Sequence, residues 1–165
     1  MKDNSTIKEK SLQPLHTGEP ASATRSTLRE QTSKTTIETL DDRILRALNA
    51  ASEKKALDLV LLDLRQIATF TDYFLISSGT NLRQVQAIAD EVVDKLKKTG
   101  TPAARIEGYR TAEWILVDYG DFIVHVFEDK ARKFYDLERL WREGKRVELP
   151  AAMFNETVSS LRNEL

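Results

Sequence analysis

Cysteine is absent from this chain of 165 residues, and the absence closes several chemistries at once. Disulfides, thiolate nucleophiles and zinc–thiolate sites are all excluded, and such usage suits a reducing compartment. Histidine is almost as scarce: His16 and His125 are the two. They stand far apart with no partner at ligand spacing, which excludes a His/Cys metal cluster. No apolar run approaches the ~18 residues that cross a bilayer. The opening stretch MKDNSTIKEKS lacks the apolar segment of a secretory signal. Its Ser and Thr would suit an organelle transit peptide, but Asp3, Glu9, Glu19, Glu30 and Glu38 would not. A cytoplasmic protein is expected. Excess charge of one sign is missing too: 25 Lys and Arg face 26 Asp and Glu, for a net charge of −1. Neither a global field for nucleic acid nor an acidic excess for a basic partner results.

What remains is the balance of a globular protein, 41% hydrophobic and 31% charged, long enough for one domain. Residues 1–36 are rich in Ser, Thr, Lys, Glu and Gln, with few large apolar side chains. That composition cannot offset the entropy of ordering, so a disordered tail is expected there. A domain over 37–149 follows, and residues 150–165 read as a second tail.

Within the domain, Ile37, Leu40, Ile44, Leu48 and Ala51 recur at helical spacing and predict a helix over 37–53. ALDLVLLDL (56–64) and DYFLISS (72–78) have the length and apolar density of strands. Gly79-Thr80-Asn81 signals a helix start. Val85, Ile88, Ala89, Val92 and Leu96 make the stripe of a helix over 82–99, ended by three lysines and Gly100. A short strand is expected at 104–107. Residues 128–145 read as one helix, with Phe134, Leu137, Leu140 and Trp141 three and four apart, stopped by Gly144. This order predicts an α+β fold, a mixed sheet of about five strands with helices mainly on one side.

The stretch EWILVDYGDFIVHVF (113–127) organises the rest. It reads as two strands, 114–119 and 122–127, joined by Gly120-Asp121, where glycine suits a type II′ turn. The turn sets Tyr119 opposite Phe122, Val117 opposite Val124 and Ile115 opposite Val126. Opposed residues share a face. One face is then Ile115, Val117, Tyr119, Phe122, Val124 and Val126, a core face. The other is Trp114, Leu116, Asp118, Ile123, His125 and Phe127. Aromatic residues with a few polar handles are typical of interface centres, so this second face is read as one that meets a partner. Trp114 is its anchor, and truncating Trp114 is expected to spare the fold. A lone strand histidine such as His125 is more often structural, or a hydrogen-bonder at an interface, than catalytic.

A competing reading starts from Ser77-Ser78-Gly79. A strand, a Ser-Gly step and a helix start can cradle phosphate, and Asp118 with Asp121 could pair on magnesium. Ser78, Gly79, Asp118 and Asp121 would then serve a nucleotide-binding protein or a nucleotidyltransferase. The spacing disfavours it: two-metal sites place alternate acids on one strand, whereas Asp121 falls in the turn and Leu116 stands two before Asp118. Neither a Walker lysine nor a GxGxxG is present.

DYFLISSGTN (72–81), EWILVDYGDFIVHVF (113–127) and RKFYDLERLW (132–141) resemble the ribosomal silencing factor family, also called Iojap-like proteins. The likeness spans about Ile37–Gly144. It implies a non-enzymatic factor without cofactor or metal, whose fold is a degenerate relative of nucleotidyltransferases. It further implies binding to the large ribosomal subunit at the inter-subunit face, through the fourteenth protein of that subunit. Occupying that face would block joining of the small subunit and lower translation when nutrients are scarce. Homodimers when free, proximity to ribosomal RNA, and no membrane or small-molecule substrate belong to the same implication. By motif, the partner-binding residues are Trp114, Tyr135, Leu137 and Glu138. Leu116, Asp118 and His125 are added from the hairpin's second face, and Trp141 also matches the motif.

Overall fold

The computed structural model describes residues 36–153. Both expected tails fall largely or wholly outside those residues. Six strands form one sheet in the order β3-β4-β5-β2-β1-β6, where β1 is Leu57–Asp63, β2 Tyr73–Gly79, β3 Arg105–Glu107, β4 Trp114–Asp118, β5 Phe122–Glu128 and β6 Lys145–Arg146. Among the described residues only β2 and β5 run parallel, and every other pairing is antiparallel. The fold is α+β with a mixed sheet, as the pattern implied. The sixth strand escaped the pattern because two residues carry no periodicity. Lys145 and Arg146 pair with the end of β1, and the Val147 N–H continues the ladder to the Leu61 carbonyl at 2.9 Å.

The hairpin has the expected register, with Ile115 opposite Val126 and Val117 opposite Val124. Tyr119 N–H donates to the Phe122 carbonyl at 3.0 Å across the turn. Gly120 sits at φ +86°, which a side chain would resist. The face of Ile115, Val117, Tyr119, Phe122, Val124 and Val126 is buried under helices α1 (Asp42–Glu53) and α2 (Leu82–Lys98).

Helix α1 begins later than the periodicity from Ile37 suggested. Asp41 caps it, its carboxylate accepting the Arg43 N–H at 2.8 Å. The residues before form a single 3₁₀ turn, Ile37–Thr39, and Leu40 is extended. The apolar spacing survives this break because both pieces lie against the same core. Helix α2 starts where expected. Asn81 accepts the Gln84 N–H at 2.9 Å, and Gln84 Oε1 in turn accepts the Thr80 N–H at 2.7 Å, a reciprocal cap. Gly79 must be small here, since a Cβ would stand 2.9 Å from the Val85 nitrogen.

The segment after β5 is not one helix. Glu128 caps α3 (Asp129–Tyr135) by accepting the Lys130 N–H at 3.0 Å. Asp136 then turns into the left-handed region, φ 47° and ψ 56°, before α4 (Leu137–Leu140) begins. Aspartate tolerates that conformation better than most side chains. The chain ends its described course with a turn at Ala151–Met153. Met153 packs on the helix-side core, and its carbonyl accepts the Ser52 hydroxyl at 3.3 Å.

Candidate partner-binding face

The sheet's second face was expected to lie open. It is instead a smaller second core. Leu62, Leu64, Phe74, Ile76, Ile123 and Phe127 are buried there. Ala131, Leu137 and Trp141 from the α3–α4 segment, with Ala68 from the loop after β1, pack over them. A sheet face this apolar needs cover, and residues 129–141 supply it.

Inside this layer the rings form a connected row. Phe70 meets Trp141 edge-on, with centroids 5.6 Å apart, and Trp141 meets Phe74 at the same distance. Phe74 meets His125 at 4.5 Å, and Trp114 lies 5.8 Å from His125. Trp114 also stacks on Phe127 at 4.9 Å and touches Tyr135 at 4.7 Å, and Tyr135 adjoins Phe134 at 5.1 Å. His125 is 3% exposed, and burial pushes its imidazole down to about 3, so the ring is neutral. Its Nδ1 accepts the Trp114 indole N–H at 3.1 Å.

The seven candidate residues therefore separate. His125 is interior. Trp114 and Leu116 are half-buried and line the second core. Asp118 accepts the Gly120 N–H at 2.8 Å and lies 3.6 Å from the Arg105 guanidinium. Leu137 packs inward, and Glu138 is ion-paired with Arg132, whose Nη1 donates to the Ser78 hydroxyl at 2.9 Å. Tyr135, 48% exposed, is the one of the seven that offers a large surface.

The exposed side chains at and beside this row were missed by the pattern. Phe134 is 80% exposed, Leu140 71% and Phe70 56%. Phe134 and Leu140 were read with Leu137 and Trp141 as one inward stripe. The left-handed turn at Asp136 breaks that phase, leaving Leu137 and Trp141 inside and the other two outside. An aspartate within the helical run was the available signal. Phe134, Tyr135 and Leu140 border a shallow groove of 630 Å³ together with Lys133, Arg139 and Arg142. An exposed apolar cluster with a charged rim has the composition of a docking surface.

The residues of the competing reading are each engaged in the fold. Ser78 is bonded by Arg132, and Gly79 is closed against Val85. Asp121 is ion-paired with Arg43, which bridges it to Asp41. Among the described residues no three His, Asp or Glu side chains are placed to hold a metal ion, and no helix is long and apolar enough to cross a membrane.

Residues 37–164 match the family model described as ribosomal silencing factor during starvation. The chain is 44% identical over 103 residues to ribosomal silencing factor RsfS of Halalkalibacterium halodurans, covering 62% of this chain and 88% of that protein. The Bacillus subtilis protein of the same name is 41% identical over 107 residues, 65% and 91% of the two chains. A crystal structure of a Chromobacterium violaceum protein superposes with a TM-score of 0.60 at 33% identity, over 66% of this chain and 88% of that one. One from Bacillus halodurans gives 0.58 at 42% identity, over 64% and 96%.

Proposed function

Because this chain belongs to the ribosomal silencing factor family, we propose that it is a non-enzymatic factor of the cytoplasm that docks on the large ribosomal subunit. The docking partner is the fourteenth protein of that subunit, at the inter-subunit face, close to ribosomal RNA. Occupying that position sterically excludes the small subunit and lowers translation when nutrients are limiting. Free chains pair as homodimers. No cofactor or metal is needed, since the action is occupancy rather than chemistry.

The observation that carries this reading is the exposed cluster of Phe134, Tyr135 and Leu140, joined through Tyr135 to a largely buried aromatic row. Rigid aromatic anchors lose little conformational freedom on binding and are the usual hot spots of interfaces. The residues beneath, Trp114, Leu137 and Glu138 among them, hold the anchors in place. In this reading His125 is a support beneath Trp114, Asp118 holds the hairpin turn, and Tyr135 is a contact.

Replacing Phe134 and Leu140 together by Asp tests the proposal, because both side chains are exposed and their loss leaves the cores intact. The expected outcome is a protein with unchanged thermal stability that no longer co-sediments with purified large subunits and no longer delays subunit joining. Full binding by this variant would overturn the assignment of the surface.

A further inference from the structure

Strand β1 pairs with β2 from Leu57 to Asp63, but its other side is covered only at the far end. There β6 and the Val147 N–H reach back as far as Leu61. The start of β1 faces the α3–α4 segment across a gap. That gap is a cavity of 490 Å³, with Leu59 and Val60 as its apolar wall and the largely buried Arg132 among its lining.

A bulge shapes this wall. Three steps lead from Leu57 to Val60, against two from Ser78 to Ile76 on β2. Within the bulge Asp58 takes φ +48°, a left-handed conformation. Bulges re-aim side chains at a strand edge, and Asp58 lines the cavity. Asp136, at φ +47°, lines it as well. Two aspartates held in the left-handed region thus belong to one cavity. Such backbone conformations persist where the surrounding fold enforces them, and they gather at ligand sites.

The charges around the cavity do not cancel. Arg132 pairs with Glu138, and Lys133 with Asp129 at 2.8 Å. Asp129 is the main cause that raises the Lys133 ammonium, and Asp58 is a weaker, more distant influence of the same sign. Asp58, Asp136 and Arg146 remain, each without an ion pair among the described residues. The unmatched set is two carboxylates and one guanidinium beside an apolar wall. No three acids are placed to hold a metal ion among the described residues, so the complement is an organic cation. A plain diamine would meet the Arg146 charge without an anion to answer it. A molecule with two cationic groups, one carboxylate and an aliphatic stem answers all four features.

We propose that this cavity binds a basic α-amino acid. Its two cationic groups face Asp58 and Asp136, its carboxylate faces Arg146, and its stem lies along Leu59 and Val60. Charge-assisted contacts of this kind fix orientation as well as affinity. The site is separate from the exposed cluster of Phe134, Tyr135 and Leu140, and it does not rest on the ribosomal partner.

The test is calorimetric titration of the full chain with L-lysine. Saturable binding of one molecule per chain is expected. Cadaverine lacks the carboxylate and L-norleucine the side-chain ammonium, and each should bind at least about tenfold more weakly, as loss of one charged contact implies. Asp58→Asn and Asp136→Asn remove charge while keeping a side chain that tolerates the left-handed region, and each should weaken lysine binding by a similar factor. Arg146→Glu should reverse the preference, so that cadaverine binds more tightly than lysine. A reversal separates recognition from misfolding, because a misfolded variant would gain no new ligand. Absence of saturable lysine binding would overturn the proposal. So would lysine binding unchanged in both asparagine variants, or cadaverine binding the wild type as tightly as lysine. Co-sedimentation with large subunits, measured on the same samples, reports separately on the functional reading.

Discussion

The indole N–H of Trp114 donates to Nδ1 of His125 at 3.1 Å, which leaves the histidine proton on Nε2, buried and without a partner among the described residues. Two rings that looked from the sequence like handles for a partner are thus each other's partners.

His125 makes the protein acid-sensitive. Its folded-state value is brought down to about 3 by burial, against 6.5 for the free group. Between these values the unfolded chain holds a proton that the folded chain refuses. The contribution of neutral His125 is complete above about pH 6.5 and is lost as pH falls toward about 3, with a slope of up to about 1.4 kcal/mol per pH unit. Urea unfolding at several pH values should show this slope in the wild type and a shallower one in His125→Gln. Equal slopes would mean that His125 does not titrate with unfolding.

Trp114→Ala should be costly, contrary to the expectation that truncation spares the fold. The ring stacks on Phe127 and touches Tyr135, so its loss opens a cavity and frees a buried acceptor. Chemical denaturation should show a loss of roughly 3 kcal/mol or more. Trp114→Phe keeps most of the stack and should lose about 1–2 kcal/mol through the unpaired His125 nitrogen.

Arg132 ties three elements together. Its guanidinium pairs with Glu138 on α4 and donates to Ser78 on β2, and it is only 10% exposed. Arg132→Met should destabilise by roughly 2–4 kcal/mol, because the partners lose their counter-charge and donor. The double variant Arg132→Met, Glu138→Gln should lose less than the sum of the single losses, a coupling that a double-mutant cycle in urea would measure.

Ser77 and Ser78 should respond oppositely to alanine. The Ser77 hydroxyl is fully buried with no partner among the described residues, whereas Ser78 accepts from Arg132. Ser77→Ala removes an unpaid desolvation and should leave the thermal midpoint unchanged or higher. Ser78→Ala should cost about 1 kcal/mol. A loss of that size in Ser77→Ala would reveal a hydrogen bond to the Ser77 hydroxyl.

Local chemistry determined a large part of this protein. The Gly120-Asp121 turn set the register of β4 against β5, because a two-residue loop leaves no other pairing. Alternation assigned Val117, Val124 and their neighbours to the main core. Asn81 and Gly100 marked the ends of α2, since a cap and a left-handed stop are properties of single residues. The family's run of motifs was legible for the same reason: it is a string of side chains, readable in order. What lay beyond reach was whether the second hairpin face is covered, because cover comes from residues 129–141 and depends on where the chain turns after β5. That turn hinges on Asp136 leaving the helical region, a conformation that aspartate permits and only packing selects. With it, Leu137 and Trp141 enter the second core while Phe134 and Leu140 remain outside, so the tertiary structure alone decided which aromatic and aliphatic side chains reach the surface.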